Sequence, residues 1–505
     1  MKKIGLFGAV VLSLILAGSG LAVDFNVTND TELRIALNTA ATNGLNDTIN
    51  IAAGTYDAST STFSYTPAAG NNSLTIVGAG AGSTILDGKN LEQVMNIDTT
   101  GVVGGDNNGH ITVTGITFEN GDTPGGAFED GGGLCIETNQ ANITVEDCEF
   151  NGNTADVYGG AVYARSFAAG TVTFANNIFD GNTANVNGGG VYGRSSTGNM
   201  TFTNNIFDGN TANQGGGVYG RSSTGNMTFT NNTFNGNTAQ NVGGGGAASR
   251  SQGTITFTNN TSLGNTADNF DGGGFHITLE LNTSIGNIYN NIVWNNTASG
   301  NGDDIYVEDN FDGDLVGASV NLYNNDYGPD PDPNDFGISD GDNLSRGSNI
   351  NTDPLLVDPA SEDFHLQTTS PCINAGTAAA PSLPPTDCDG EQRNSGSAPD
   401  IGADEVPATS GDGGGFCFIA TAAYGSVLSN EVTIFKQFRD EFLLTNELGR
   451  SFVSAYYSYS PRLADCIAKH PMGRKMVRIG LYPILELSKW FVEENDSKQP
   501  SKEAE

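Results

Sequence analysis

The chain has 505 residues and a formal net charge of -36, from 21 Lys and Arg against 57 Asp and Glu. Between Val23 and Gly414 only 8 basic residues face 46 acidic ones, which excludes a nucleic-acid binder, because that function needs clustered Lys and Arg. Its apolar runs fall short of the roughly 20 residues that a membrane-spanning helix requires.

Lys2 and Lys3 precede an apolar run from Ile4 to Leu16, with Gly20 and Ala22 at small-residue positions before Val23. That order predicts a secretory signal peptide over residues 1–22. Thr31 to Ala41 then reads as a capped amphipathic helix, with Thr31 ahead of Glu32 and apolar Leu33, Ile35 and Ala36 after it. Strands follow at Thr48–Tyr56 and Leu74–Gly78, each with a glycine exit. A helix at this place would plug the end of a sheet stack and protect an open edge.

From Gly131 a block of about 28 residues recurs, with copies at Gly131, Gly159, Gly188, Gly215, Gly244 and Gly272. Recurrence at one period means a stacked, quasi-one-dimensional fold. Val191-Tyr192-Gly193-Arg194 and Met200-Thr201-Phe202-Thr203 alternate apolar and polar residues, the period of short strands showing one face inward. Glycine pairs and Asn-Asn or Asp-Gly steps punctuate them, supplying left-handed backbone at corners. The prediction is an all-β chain, a right-handed parallel β-helix over residues 23–300 with an N-terminal capping helix. Coils about 4.8 Å apart stack equivalent residues in columns. Phe150, Phe179, Phe207 and Phe234 make an aromatic column, and Asn153, Asn182, Asn210, Asn237 and Asn265 an amide ladder.

Arg165, Arg194, Arg221 and Arg250 hold the same place in successive coils, and strand parity points them outward beside Tyr163, Tyr192 and Tyr219. Like charges at that spacing repel by about 1 kcal/mol per neighbour even in water. Two readings stand: the guanidinium groups pair with nearby carboxylates and tyrosines, or they form a docking track for an acidic polymer or partner. Glu129 and Asp130, one coil before Arg165, are the constellation to test for catalysis.

The Gly-Gly-Ala-Val at Gly159–Val162, with Phe-x-x-Asn at Phe150–Asn153, Phe179–Asn182, Phe207–Asn210 and Phe234–Asn237, resembles the repeat of the chlamydial polymorphic outer membrane proteins, within the pectin-lyase-like superfamily. Asp353-Pro354-Leu355, Asp363-Phe364-His365-Leu366, Ser370-Pro371-Cys372, Asp387-Cys388-Asp389-Gly390 and Asp400–Glu405 are similar to the choice-of-anchor Q domain, which implies an end module over residues 301–406. A Gly-rich linker (407–415) leads to Cys417-Phe418-Ile419-Ala420-Thr421-Ala422-Ala423-Tyr424-Gly425, which looks like a CFI-box C-terminal domain (416–492), a small helical unit suspected of sorting, before a polar tail (493–505).

Asp330, Asp332 and Asp335 in one loop, and the alternating Asp387 and Asp389, offer the oxygen-rich spacing that calcium takes, or else a solvated acidic loop. Six cysteines fall two per region, so Cys135–Cys148, Cys372–Cys388 and Cys417–Cys466 are the simplest disulfides for an exported chain. Three functions follow. The first is a non-catalytic bacterial surface rod, monomeric, that binds a carbohydrate or surface protein through its side wall. The second is a secreted polysaccharide lyase or glycoside hydrolase, and the third a structural spacer of the envelope.

Overall fold

The computed structural model describes residues 23–406 apart from 68–71, 102–108, 124, 126–128, 310–317, 329–334, 339–342 and 394–395, together with 430–443 and scattered positions from 445 to 489. The first part winds into a right-handed parallel β-helix of about nine turns. Three long walls hold 12, 10 and 10 strands, and a fourth, short one holds 6. Every pairing in these walls is parallel; among the described residues the antiparallel strand pair Leu356–Asp358 with Asp363–Leu366, and an antiparallel bridge between Thr386 and Gln392, lie outside them.

Alternation in each strand produces the walls. In Met200–Thr203, Met200 and Phe202 are fully buried while Thr201 and Thr203, alternating with them, face out. The expected phenylalanine column forms, begins one coil earlier at Phe118, and spaces its ring centroids 4.7 to 5.0 Å apart with nearly parallel planes. A second column, Phe174, Phe202, Phe229 and Phe257, fills the neighbouring wall at 4.4 to 5.2 Å. Such pairs add about 0.5–1.5 kcal/mol each beyond area burial.

The Asn-Asn steps divide their labour. Asn176, Asn204, Asn231, Asn259 and Asn290 take φ of +54° to +57°, the left-handed corner that Asn tolerates better than other side-chain-bearing residues. Each following residue, Asn177, Asn205, Asn232, Asn260 and Asn291, is buried and passes its amide up the axis: Asn205 Nδ2 donates to Phe174 O and to Asn232 Oδ1 at 3.0 and 2.9 Å. The expected ladder from Asn153 to Asn265 works in the same way at the next corner. Buried amides are tolerated here because each finds a partner one coil away.

The helix spans Asp30–Asn43, so it starts earlier than Thr31. Its cap is Asn29, whose side chain accepts from Glu32 N at 3.0 Å while the Glu32 carboxylate takes Thr28 N at 2.8 Å. Leu33, Ala36, Leu37, Ala40 and Ala41 are buried, whereas Ile35 is 57% exposed. The buried face therefore follows Leu33 and Leu37, not Ile35.

Winding continues past residue 300. Ile305–Asp309, Ser319–Tyr323, Asp326–Tyr327, Phe336–Ile338 and Leu344–Gly347 extend the same three walls. Ile350 still pairs in parallel with Asp326, but the described residues of 353–406 do not then stack on the far end. They run back along the column of left-handed Asn corners, where Asn324 Nδ2 donates to Ala375 O, Asn290 Nδ2 to Thr377 O, Asn259 Nδ2 to Asp400 O and Gly402 O, and Asn231 Nδ2 to Thr386 O. Arg393, fully buried, completes the seam by donating to Asn231 Oδ1 at 2.7 Å. Further along the chain, helical backbone is described at Asn430–Phe438, at 481–485 and at 487–489. Most of the rest of 416–492, and residues 1–22, lie outside the described residues.

Candidate functional site

The wall from Phe63–Tyr65 to Phe336–Ile338 carries the candidate residues on its outer face. Val162–Ser166 shows why: Val162 and Ala164 belong to the central core, while Tyr163 and Arg165 alternate outward. Parallel register then makes two columns. The first reads Cys135, Tyr163, Tyr192, Tyr219, Ala248, His276, Tyr306. The second reads Asp98, Glu137, Arg165, Arg194, Arg221, Arg250, Thr278, Glu308.

Four guanidinium groups therefore sit in register with carboxylates at both ends. Arg250 pairs with Glu280. Arg165 lays its guanidinium 3.7 Å from the Phe167 ring centre and donates to Tyr163 Oη at 3.4 Å, on the strand next to Glu137. Arg194 and Arg221, in the middle, have no carboxylate within ion-pair distance among the described residues. The positive potential of the wall is thus concentrated over two coils.

The tyrosines point outward as expected but are not an open aromatic face. Tyr163, Tyr192 and Tyr219 stack at 5.2 and 5.4 Å and are only 4 to 6% exposed. Tyr158, from the preceding corner, covers them at 4.7 Å from Tyr192. Burial pushes the Tyr192 and Tyr219 hydroxyls up, against the opposing charge of the arginines. Their part is to floor the arginine column.

At the acidic end, Asp130 accepts from Tyr158 N at 3.1 Å, and burial pushes its carboxyl up to about 6, with Arg165 opposing. Glu137 is raised by burial and then by Asp98, again against Arg165. The structure thus brings Asp130 and Arg165 together, while Glu129 is exposed and contributes its backbone oxygen to Val157 N. Asp98 and Glu137 were overlooked in the sequence. The signal was present, because Glu137 holds in its unit the place that Arg165 holds in the next.

Four cysteines are free thiols rather than the two expected disulfides. Cys135 faces out under the tyrosine column while Cys148 lies in the central core, so the wall itself separates Cys135 from Cys148. Cys372 Sγ donates to Asp326 Oδ2 at 3.2 Å, and Cys388 Sγ lies 4.0 Å from Asp389 Oδ2. Cys417 and Cys466 lie outside the described residues.

Of the oxygen-rich positions, Asp387 and Asp389 stay together, their potential ligand atoms within 4.8 Å of each other and of Cys388 Sγ. Asp330 and Asp332 lie outside the described residues. Asp335 is 6% exposed and turns a coil corner, its backbone oxygen accepting from Asp304 N and Ile305 N. Asp387 uses both carboxylate oxygens on backbone, one for Asp389 N and Glu391 N and the other for Glu405 N, at 2.7 to 3.0 Å. That saturation makes it a fastener of the loop. Asp389 instead faces His365, with Nε2 to Oδ2 at 2.7 Å, and Asp404 completes a group whose potential ligand atoms lie within 4.8 Å of one another. No described helix is long and apolar enough to cross a membrane. No family model, curated protein or solved structure matches the chain.

Proposed function

We propose that this chain is a non-catalytic, exported rod of a bacterial surface, and that the wall of Arg165, Arg194, Arg221 and Arg250 binds an acidic polymer, a polysaccharide before a protein. One observation carries the reading: four guanidinium groups stand in register on a chain with so few cations, and among the described residues the middle two have no carboxylate within ion-pair distance. A linear polyanion along the axis meets one guanidinium per coil and relieves the repulsion between them. The repeats resembling polymorphic outer membrane proteins, the Lys2-to-Ala22 leader and the CFI-like tail support export and sorting.

The test is a glycan array with acidic and neutral polysaccharides. Arg194→Ala with Arg221→Ala should weaken acidic binding at least tenfold, with binding falling as salt rises. Unchanged binding by a folded variant would leave the spacer reading ahead.

A lyase or hydrolase is favoured by a different feature, the half-buried carboxylates of Asp130 and Glu137 near Arg165, both pushed up by burial. Raised carboxyl groups suit general acid chemistry. New reducing or unsaturated ends that appear with the native chain and disappear with Glu137→Gln would establish it. Retention on cells after removal of residues 416–505 would refute the sorting role of the tail.

A further inference from the structure

The return segment gathers a second polar centre, away from the wall. The strand Asp363–Leu366 places Asp363 and His365 two residues apart on one face, the turn at Asp387–Gly390 supplies Asp389, and Asp404 comes from the end of the return segment. Asp387 draws these pieces together through the backbone N–H groups of Asp389 and Glu405, and Asp404 Oδ2 accepts from Leu366 N at 2.8 Å.

Both ring nitrogens of His365 face carboxylates: Nδ1 lies 2.5 Å from Asp363 Oδ1 and Nε2 lies 2.7 Å from Asp389 Oδ2. A neutral imidazole has one N–H, and ionised carboxylates only accept. If Nδ1–H goes to Asp363, the Nε2 lone pair points at another acceptor, so a positive charge must sit between them. It is either a proton or a metal ion. The surroundings favour more than a single charge, because Asp387, Asp389, Asp404 and Glu405 are all buried and Arg393 is the guanidinium among them. Buried carboxylates are costly unless each negative charge is matched by a positive one as well as hydrogen-bonded.

We infer that His365 Nε2, Asp389 and Asp404 hold one divalent cation of the zinc class, with Asp363 orienting the imidazole. A carboxylate on the distal nitrogen is the arrangement that fixes a ligating histidine. One imidazole with two carboxylates suits zinc better than calcium, which takes six to eight oxygens. Ligand atoms about 2.0–2.2 Å from zinc stand roughly 3.3 Å apart at tetrahedral angles, so the His365–Asp389 pair opens slightly to admit the ion. Bound there, the ion clips the Asp363–Leu366 strand to the loop that lies along the coils.

The test uses the intact chain after chelation, titrated with Zn²⁺ and separately with Ca²⁺ by calorimetry. One equivalent of Zn²⁺ should bind, at least tenfold tighter than Ca²⁺. Asp363→Asn should weaken Zn²⁺ binding 10- to 100-fold, as loss of such an outer partner does, and His365→Ala should abolish it. Co²⁺ added to the native chain should give the intense visible absorption of a tetrahedral site, a readout that depends on no variant. Failure of the folded native chain to take up Zn²⁺ or to colour with Co²⁺ would overturn the inference and leave an imidazolium between two aspartates. Undiminished Zn²⁺ affinity in a folded His365→Ala chain would overturn it too.

Discussion

Asn210→Ala probes the principle that holds the rod together. Asn210 is fully buried in the middle of its ladder. Its Nδ2 donates to Phe179 O and Asn237 Oδ1, both at 2.9 Å, and its Oδ1 accepts from Asn182 N and Asn182 Nδ2 at 3.0 and 2.9 Å. The substitution removes all four bonds. Asn237 Oδ1 keeps the Asn210 backbone N–H, so the acceptor side is partly spared. The Asn182 backbone N–H and one of its amide hydrogens are left buried with nothing to bond. At about 1–3 kcal/mol for each orphaned buried donor, the loss is roughly 2–6 kcal/mol, a large share of the 5–15 kcal/mol that typically holds a domain. Urea denaturation followed by far-ultraviolet circular dichroism reads the shift. Solenoids lose two-state behaviour when one interface weakens, so the curve should also broaden or split at that coil. A destabilisation under about 1 kcal/mol with an unchanged slope would refute the reasoning and mean that water or relaxation replaces the missing amide.

Two further outcomes follow from buried groups. Asp326 is fully buried, and burial pushes its carboxyl from 3.8 up to about 6. The native state therefore binds this proton more tightly than the unfolded chain does. Its stabilisation is complete below about pH 4 and disappears as pH rises through 6. Asp326→Asn should raise stability at pH 7 by up to about 3 kcal/mol, from two pKa units at 1.36 kcal/mol each, and change little at pH 4; equal increments in urea melts at both pH values would contradict this. Arg393→Met should free the return segment, because Arg393 donates to Asn231 Oδ1, Ala403 O and Asp404 O at 2.6 to 2.8 Å. Hydrogen exchange should quicken over residues 353–406 while the coils keep their protection, and uniform exchange across the whole chain would refute a seam of that kind.

What the sequence revealed is what repetition encodes. Arg165 and its successors were legible because strand parity and period together fix a side chain's direction and height. The ladder from Asn153 was legible for the same reason. The one through Asn177 was not, because an Asn-Asn pair signals a corner without saying that its first member turns the chain and its second bonds along the axis. Burial of Tyr192 depends on Tyr158, which reaches it from another corner. The Cys135–Cys148 pairing failed because sequence proximity does not reveal which side of a wall a thiol faces. His365, Asp389 and Asp404 come from non-repeating chain whose path is set by contacts with coils more than 100 residues away, such as Asn259 with Asp400. Periodicity carries no record of such contacts.

The placement of the return segment bears on the binding wall. It lies over the corner between the wall of Val172–Ala175 and that of Ile178–Asp180, where its polar backbone can meet the outward amides of Asn231, Asn259, Asn290 and Asn324. The arginines stand on a different wall, beginning at Val162–Ser166 in the same coil. A chain that returned over that face would bring aspartates to the guanidinium groups and neutralise them. Instead, the Asn corner takes up the return segment, and Asp387, Asp389, Asp404 and Glu405 are buried beside the half-buried His365 and the buried Arg393. Arg194 and Arg221 are then left without a carboxylate partner among the described residues. The same amide ladders fix their spacing, one guanidinium to each coil, because a rigid stack prevents the column from spreading to relieve its own repulsion.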